Sequence, residues 1–488
     1  MFSERAAAPM IEADIPAHIF KSYDIRGIVD SEITDSVVEL IGAATVETLN
    51  ARRIAVGRDM REHSPRLEKA LVRGITGAGA DVVCIGQCST PMSYFAAATL
   101  DVDAALMVTA SHNPGQYNGI KFSKRGGLPM GQGTGLERVQ ELVVSGKAAG
   151  ISSSRGKGSV EELDLLGPWC NHLKQYLPEV RPMKIIIDCG SGVMGPVVRP
   201  LLQQVDPEGK VQVEWLWEEP DGSFPGHPPD PLTLKNLRDL QKAVKQSDVD
   251  FGVAFDGDGD RLAFVDEHGE FIGCDLMTAL FAREVLSEPG NRGKMILYDL
   301  RSSRSVREEI EAAGGVPDMC RVGHSHIKAA MRGMREGSVL DPSLKGEAIF
   351  AGELSGHFFF KDCFTIDTAE RALLLALKLM TDDPRSLSEM VAPLRRYHHS
   401  GEINFRFPEQ GAMQEVLGQF EQKYADCRVF KLDGVSVQAD TWWLNVRPSN
   451  TEPVIRVTAE SYESAEALAK LVSEIEAVIV ENGGVRKT

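Results

Sequence analysis

The stretch "RRIAVGRDMREHSPRLEKALVRGITGAGADVVCIG", residues 52–86, decides the fold. Ile54, Ala55 and Val56 form an apolar run of the kind found in a strand buried on both faces. A polar loop follows, and then Leu67, Leu71 and Ile75 recur at the spacing of one helix face. Ser64 and Pro65 suit the cap and the first position of that helix. Strand, loop, amphipathic helix and second strand read as a βαβ unit, and hence as part of a parallel sheet. The same order returns in "MKIIIDCGSGVMGPVVRPLLQQV", residues 183–205, and in "KMILYDLRSSRSVREEIEAAGG", residues 294–315. Three related α/β domains are therefore expected, over residues 1–164, 165–270 and 271–397.

At 488 residues the chain is too long for one ordinary core, which favours three or four domains. After residue 397 the pattern changes. A strand at "EINFRF", a helix beginning near Gln410, a hairpin across Asp433 and Gly434 and a last helix from about Glu463 describe a smaller α+β domain, 398–488. The Gly/Ser/Lys-rich run at 144–162 reads as a linker or exposed loop.

The 53 basic and 70 acidic residues leave a net charge of −17, which argues against general binding to nucleic acid or an anionic membrane. An anionic substrate would need Arg and Lys concentrated locally. Eight cysteines are scattered without a Cys-x-x-Cys pair, which fits a reduced, cytoplasmic setting. The first twenty residues are too acidic and too short in apolar length for a signal peptide. No run reaches the roughly 18 apolar residues of a membrane helix.

Four loops carry candidate chemistry. In "DVDFGVAFDGDGDRLAFVDEHGEF", residues 248–271, a strand over 249–255 delivers Asp256, Asp258 and Asp260 at alternate positions, with glycines between them and Arg261 after them. Alternate carboxylates on a curled backbone can converge on one hard cation, which relieves their mutual repulsion. A calcium loop is matched at these three positions and at Glu267, but Arg261 stands where that loop requires Gly, and the flanks read as strands rather than helices. A phosphohydrolase that forms an aspartyl phosphate would use Asp256 and Asp258, but would leave the Ser111 loop without a role.

In "DVDAALMVTASHNPGQYNGIKFSKRGG", residues 101–127, an apolar strand leads to Ser111, which taken alone reads first as a turn residue, with nucleophile and phosphate carrier left open. "AGELSGHFFF", residues 351–360, gathers Glu353, Ser355 and His357 in one turn, a set suited to sugar hydroxyls; Phe358 to Phe360 read as core. "WWLNVRPSNTEPVIRV", residues 442–457, sets Arg447, Ser449, Asn450 and Thr451 in a polar turn between strands, a phosphate cradle built from a guanidinium fork, hydroxyls and an amide.

Taken in order, "YDIRG", "TASHNPGQYNGIKF", "DGDGDR", "GELSGH" and "RPSNTEP" resemble the α-D-phosphohexomutase family, in its phosphomannomutase/phosphoglucomutase branch, over nearly the whole chain. The resemblance implies an isomerase with four domains around a central cleft. It would interconvert hexose 1-phosphate and hexose 6-phosphate, of mannose or glucose, through a phosphoserine and a hexose 1,6-bisphosphate that turns around in the site. By the same resemblance Ser111 carries the phosphoryl group and, with Asp256, Asp258 and Asp260, holds one Mg²⁺. Lys121, His324 and His357 are candidates for proton transfer, Arg261 supports the transferring phosphate, and Tyr23 and Arg26 line the cleft. Glu353 and Ser355 contact the sugar, while Arg447, Ser449, Asn450 and Thr451 clamp the other phosphate. Glucose or mannose 1,6-bisphosphate is the implied activator, small phosphosugars are the implied partners, and a monomer or dimer is expected. A phosphoglucosamine mutase is the nearest alternative, but "GELSGH" fits the mannose/glucose branch better. Two departures stand out: Arg301 in "DLRSS", where relatives often carry Lys, which exchanges a point charge for a fork and is expected to keep a substrate phosphate contact, and an extra loop at 337–347 that could alter access to the cleft or specificity.

Overall fold

The computed structural model describes residues 15–154, 156–177, 179–335, 337–408, 410–449 and 453–487. Its four sheets belong to three α/β domains and a smaller C-terminal domain. In the first sheet Arg53–Arg58 lies between Asp81–Gln87 and Ala104–Val108, all parallel, and Tyr117–Lys124 pairs antiparallel with Ala104–Val108. The second sheet repeats this with Met183–Asp188 between Val211–Leu216 and Phe251–Phe255, and Leu262–Asp266 antiparallel beside the last. The third has Met295–Asp299 between Val316–Cys320 and Ala348–Gly352, with Phe358–Phe360 antiparallel. The repeated βαβ units are present as the sequence suggests, but the sheets are mixed, because each third parallel strand turns back on itself.

Strand periodicity explains how the domains join. Successive side chains point to opposite faces, so Ile54 and Val56 enter a core private to the first domain while Ala55 enters a larger one. In the second sheet Ile186 and Ala254 face a private core, whereas Ile185, Ile187, Val253 and Phe255 face the larger one. The third sheet divides likewise: Met295 and Leu297 face inward, while Ile296 and Tyr298 join the shared cluster with Phe358 and Phe360. One continuous apolar core thus binds the first three domains together. Burying a single Phe or Ile there stabilises the fold by about 1.5–3 kcal/mol relative to leaving it exposed.

The C-terminal sheet is antiparallel throughout, in the order Arg428–Phe430, Val435–Gln438, Trp442–Pro448, Val454–Ser461, His398–Arg406, Val485–Arg486. Helices Gln410–Lys423 and Ala465–Glu481 accompany it, and Phe405, Phe420, Val446 and Ile475 belong to a core of its own. The final helix is capped by the Ser464 side chain, which accepts from Ala467 N–H, and so starts two residues later than the sequence suggests.

Two local expectations change. The run at 144–162 is more than a linker: its strand Val160–Glu162 adds to the edge of the first sheet beside Asp81–Gln87. Ser64 is the first residue of its helix and makes no cap bond; its hydroxyl donates to Asp59 Oδ1 at 2.5 Å instead. Among the described residues no helix is long and apolar enough to cross a membrane.

Candidate active site

The repeated topology brings one corner of each sheet into use. The turn between the third parallel strand and its antiparallel neighbour spans residues 109–116, 256–261 and 353–357 in the three domains. These turns carry Ser111, the three aspartates and the Glu353–His357 group. They meet at a cleft of about 1660 Å³ whose lining includes Tyr23, Arg26, Arg261, Arg301, His324, Glu353, Ser355, His357, Arg447 and Ser449. Ser111, Lys121, Asp256, Asp258 and Asp260 do not line it. They lie in the protein beside the lining residues His112, Arg261 and His357, each no more than 5 % exposed.

Ser111 adopts φ +50°, a left-handed conformation that costs a non-glycine residue of order 1–3 kcal/mol. Its loop is held by a residue that the sequence reading missed. Arg61, fully buried, donates through Nη2 to the carbonyls of Ser111 (2.8 Å) and Asn113 (2.6 Å), and through Nη1 to those of Pro114 (2.8 Å) and Tyr117 (3.0 Å). Asp59 Oδ2 accepts from Arg61 Nε at 3.1 Å and completes its pairing. One guanidinium therefore replaces the backbone ladder that the turn lacks.

The Ser111 hydroxyl donates to Asp256 Oδ2 at 2.8 Å, and its oxygen lies 3.1 Å from His112 Nδ1. Asp256 Oδ1 accepts from the N–H groups of Gly259, Asp260 and Arg261 at 3.0–3.2 Å. A Cβ at Gly257 would stand 2.7 Å from the Ser111 carbonyl, so the close approach of the two loops needs glycine there. Burial, then the charges of Asp260 and Asp258, push the Asp256 carboxyl well above the usual range. Lys121 Nζ donates to Asp258 Oδ2 (2.7 Å) and Asp260 Oδ2 (2.5 Å).

A metal fits this group. Ligand oxygens of the three aspartates lie within 4.8 Å of one another, and Asp258 Oδ1 and Asp260 Oδ1 are buried without a hydrogen-bond partner. Asp260 Oδ1 still faces His357 Nε2 at 3.4 Å, but a buried carboxylate oxygen without a hydrogen bond is costly, and a hard divalent cation satisfies it. The calcium-loop reading fails on geometry: strands flank the turn, and Glu267 is turned away to accept from Ser388 Oγ at 2.5 Å.

Above the metal group, His357 lies between carboxylates, with Nδ1 2.9 Å from Glu353 Oε2 and Nε2 3.4 Å from Asp260 Oδ1. Burial works against its charge, but Asp260 and Glu353 prevail and raise its pKa to about 9. An imidazolium has no acceptor to offer, so Arg261 Nε, 3.4 Å from Nε2, is a neighbour and not a donor to it. His324, 6.0 Å away between ring centres, has the opposite fate. Burial, then the charges of Lys328 and His357, hold it well below its ordinary value, and its buried Nδ1 has no partner. One histidine is charged and the other neutral, the condition for an acid–base pair.

The remaining predicted residues fall around the same cleft. Arg26 Nη1 donates to Asn113 Oδ1 at 2.6 Å in the Ser111 loop. Tyr23 packs edge-on against His324 and His326, and a Cβ at Gly323 (φ +115°) would stand 2.6 Å from its hydroxyl oxygen. Ser355 Oγ lies 2.8 Å from His357 Nδ1. Arg447 donates to Glu402 Oε2 at 2.7 Å. Arg301 is spent on carboxylates, bonding Asp299 through Nε and Nη2 and Glu402 through Nη1 at 3.0 Å. Asn450 and Thr451 lie outside the described residues. The 337–347 loop does not line the cleft: Ser338 Oγ donates to Asp318, and Arg428 of the last domain donates to the Val339 carbonyl.

Models of the phosphoglucomutase/phosphomannomutase family match most of the chain: alpha/beta/alpha domain I at residues 17–147, domain II at 168–269, domain III at 274–397 and the C-terminal domain at 402–478. A phosphomannomutase of Methanocaldococcus jannaschii is 34% identical over 94% of this chain and 98% of its own length. A phosphoglucomutase of Neisseria meningitidis is 36% identical over 96% and 98%. The crystal structure of a phosphoglucomutase/phosphomannomutase family protein from Burkholderia thailandensis superposes with TM-score 0.85 at 31% identity, covering 97% of this chain and all of that one. With the motifs, the repeated sheets and these matches in agreement, the chain belongs to the phosphoglucomutase/phosphomannomutase family.

Proposed function

We infer that the protein interconverts hexose 1-phosphate and hexose 6-phosphate, of mannose or glucose, by carrying the phosphoryl group on Ser111. The observation that supports this most is the Ser111 hydroxyl 2.8 Å from Asp256 in a buried acidic group where Asp258 Oδ1 has no hydrogen bond. Ser111, Asp256, Asp258 and Asp260 would hold one Mg²⁺, which when bound offsets charge on a transferring phosphoryl group.

In this reading the free hydroxyl of a hexose phosphate attacks the phosphorus of phosphoserine in line. The bond from phosphorus to Ser111 Oγ breaks as the sugar O–P bond forms, and its electron pair goes to Oγ, which takes up a proton to restore the serine hydroxyl. The hydroxyl proton passes to a neutral base, for which His324 is suited, while Lys121, Arg261 and protonated His357 face the charge that moves. The hexose 1,6-bisphosphate then turns around and returns its other phosphate to Ser111. Glu353 and Ser355 hold the sugar hydroxyls in either orientation, while Arg447, Ser449, Asn450 and Thr451 clamp the phosphate that is not transferring. Tyr23 and Arg26 close the cleft wall and exclude water that would hydrolyse the phosphoserine.

Glucose or mannose 1,6-bisphosphate serves as activator. Domain divisions at 164/165, 270/271 and 397/398, a cytoplasmic setting and a monomeric or dimeric state belong to the same reading; the eight free thiols are in keeping with a reduced compartment. The test is a coupled assay of glucose 1-phosphate and mannose 1-phosphate conversion with Mg²⁺, with and without the 1,6-bisphosphate. Conversion that the bisphosphate stimulates supports the reading. Steady release of inorganic phosphate in place of isomerisation defeats it.

A further inference from the structure

The last domain has its own apolar core, and polar contacts join it to the third domain. At the centre of those contacts is Glu402, a strand residue that sequence reading passed over. Its Oε2 accepts from Arg301 Nη1 of the third domain at 3.0 Å and from Arg447 Nη2 at 2.7 Å, and its Oε1 accepts from Arg456 Nη1 at 3.0 Å. The side chain is one-fifth exposed, and Arg301 and Arg447 are under one-tenth exposed. Three buried or half-buried guanidinium groups would repel one another without a carboxylate between them.

The link continues inward. Arg301 Nη2 lies 3.7 Å from Glu353 Oε1, Glu353 Oε2 lies 2.9 Å from His357 Nδ1, and His357 Nε2 lies 3.4 Å from Asp260 Oδ1. Alternating charges therefore run from the metal group to Arg447, and among the described residues they cross into the last domain at Glu402.

We propose that Glu402 is the positioning residue of the phosphate clamp: it latches Arg447 and Arg456 to Arg301, and so sets the distance between the clamped phosphate and the phosphoryl group on Ser111. This rests on the reading of Arg447 as a phosphate ligand. Glu402 itself touches no reacting atom. Its role is to hold Arg447 oriented before substrate arrives, which spares the substrate the cost of ordering that side chain.

Two variants separate charge from reach. Glu402→Gln keeps the shape and removes the charge; Glu402→Asp keeps the charge but is one methylene short of spanning Arg301 and Arg447. Each is assayed as the Mg²⁺-loaded full chain with glucose 1-phosphate and saturating glucose 1,6-bisphosphate. In both, KM rises about tenfold, the low end for loss of a group that orients a direct ligand. In both, kcat stays within about threefold, because the clamp binds ground state and transition state alike. Intact mass still shows phosphate on Ser111. An unchanged KM, a loss in kcat alone, or a fall in KM overturns the proposal, the last because it makes Glu402 a competitor of the substrate phosphate. Arg447→Gln is the control: if it leaves KM unchanged, the clamp reading itself fails, and if it raises KM while both Glu402 variants behave as wild type, only the positioning role falls.

Discussion

Behind the lining at one end of the cleft three aspartates gather about Lys121; in the lining itself three arginines gather about Glu402. The two groups are near mirror images in charge, and each lacks what the other has in excess. The aspartate end concentrates carboxylates and leaves Asp258 Oδ1 buried without a hydrogen bond, which a divalent cation suits. The arginine end is short of negative charge, which suits the phosphate of a sugar. The ends also differ in support. The aspartates sit on the core shared by the first three domains, whereas Arg447 and Glu402 sit on a domain with its own core. A substrate that must turn around between two transfers needs such a division: one end fixed for chemistry, one end able to release and regrip.

The comparison can be broken most severely at the aspartate end. Asp258→Asn removes a carboxylate that Lys121 and Thr90 address, and turnover should fall about a thousandfold, as when a group that stabilises transition-state charge is lost. A loss under tenfold in the coupled assay would mean that the aspartates are structural. Lys121→Met leaves the same carboxylates facing each other, and should destabilise the metal-free protein by about 3–5 kcal/mol, as for any buried ion pair deprived of one partner. Added Mg²⁺ should recover much of that loss in thermal unfolding, more than it adds to wild type. If Mg²⁺ shifts the two melting temperatures equally, the lysine and the metal do not share the charge.

Arg61→Lys tests the scaffold under Ser111. A lysine cannot serve four carbonyls at once, so the loop should loosen and turnover fall about a hundredfold with the metal group intact. The smallest effect lies at the arginine end. Burial opposes the charge on Glu402, but Arg301, Arg447 and Arg456 lower its pKa from 4.5 to about 2. A lowered pKa means stability that is fully present above about pH 4.5 and lost as pH falls through about 2. The stability gap between wild type and Glu402→Gln should therefore be widest near neutrality and shrink across that window. A gap that is constant with pH would show that the carboxylate is not held ionised by the arginines.

Much of this was legible in the sequence, for local reasons. The βαβ units, the aspartate triad and the strands either side of the turn at Arg447 are short-range patterns, and they lie close to where spacing puts them. Arg61 and Glu402 were not legible, because each acts on partners that lie dozens of residues or a domain away. In "GRDMREHS" an arginine reads as surface charge, and its burial becomes reasonable only once the Ser111 loop offers four carbonyls. In "EINFRF" a glutamate reads as the polar face of a strand, until three arginines from elsewhere converge on it. The strand at 160–162 was hidden likewise, since Gly- and Ser-rich flanks say nothing of an open sheet edge nearby.

The central claim is that Ser111 carries the phosphoryl group. Intact-mass measurement of the Mg²⁺-loaded protein after incubation with glucose 1,6-bisphosphate tests it most directly. One added phosphate, mapped to Ser111, discharged on addition of glucose 1-phosphate and absent in Ser111→Ala together with nearly all turnover, is the predicted result. A protein that stays unphosphorylated while Ser111→Ala turns over as wild type would contradict it.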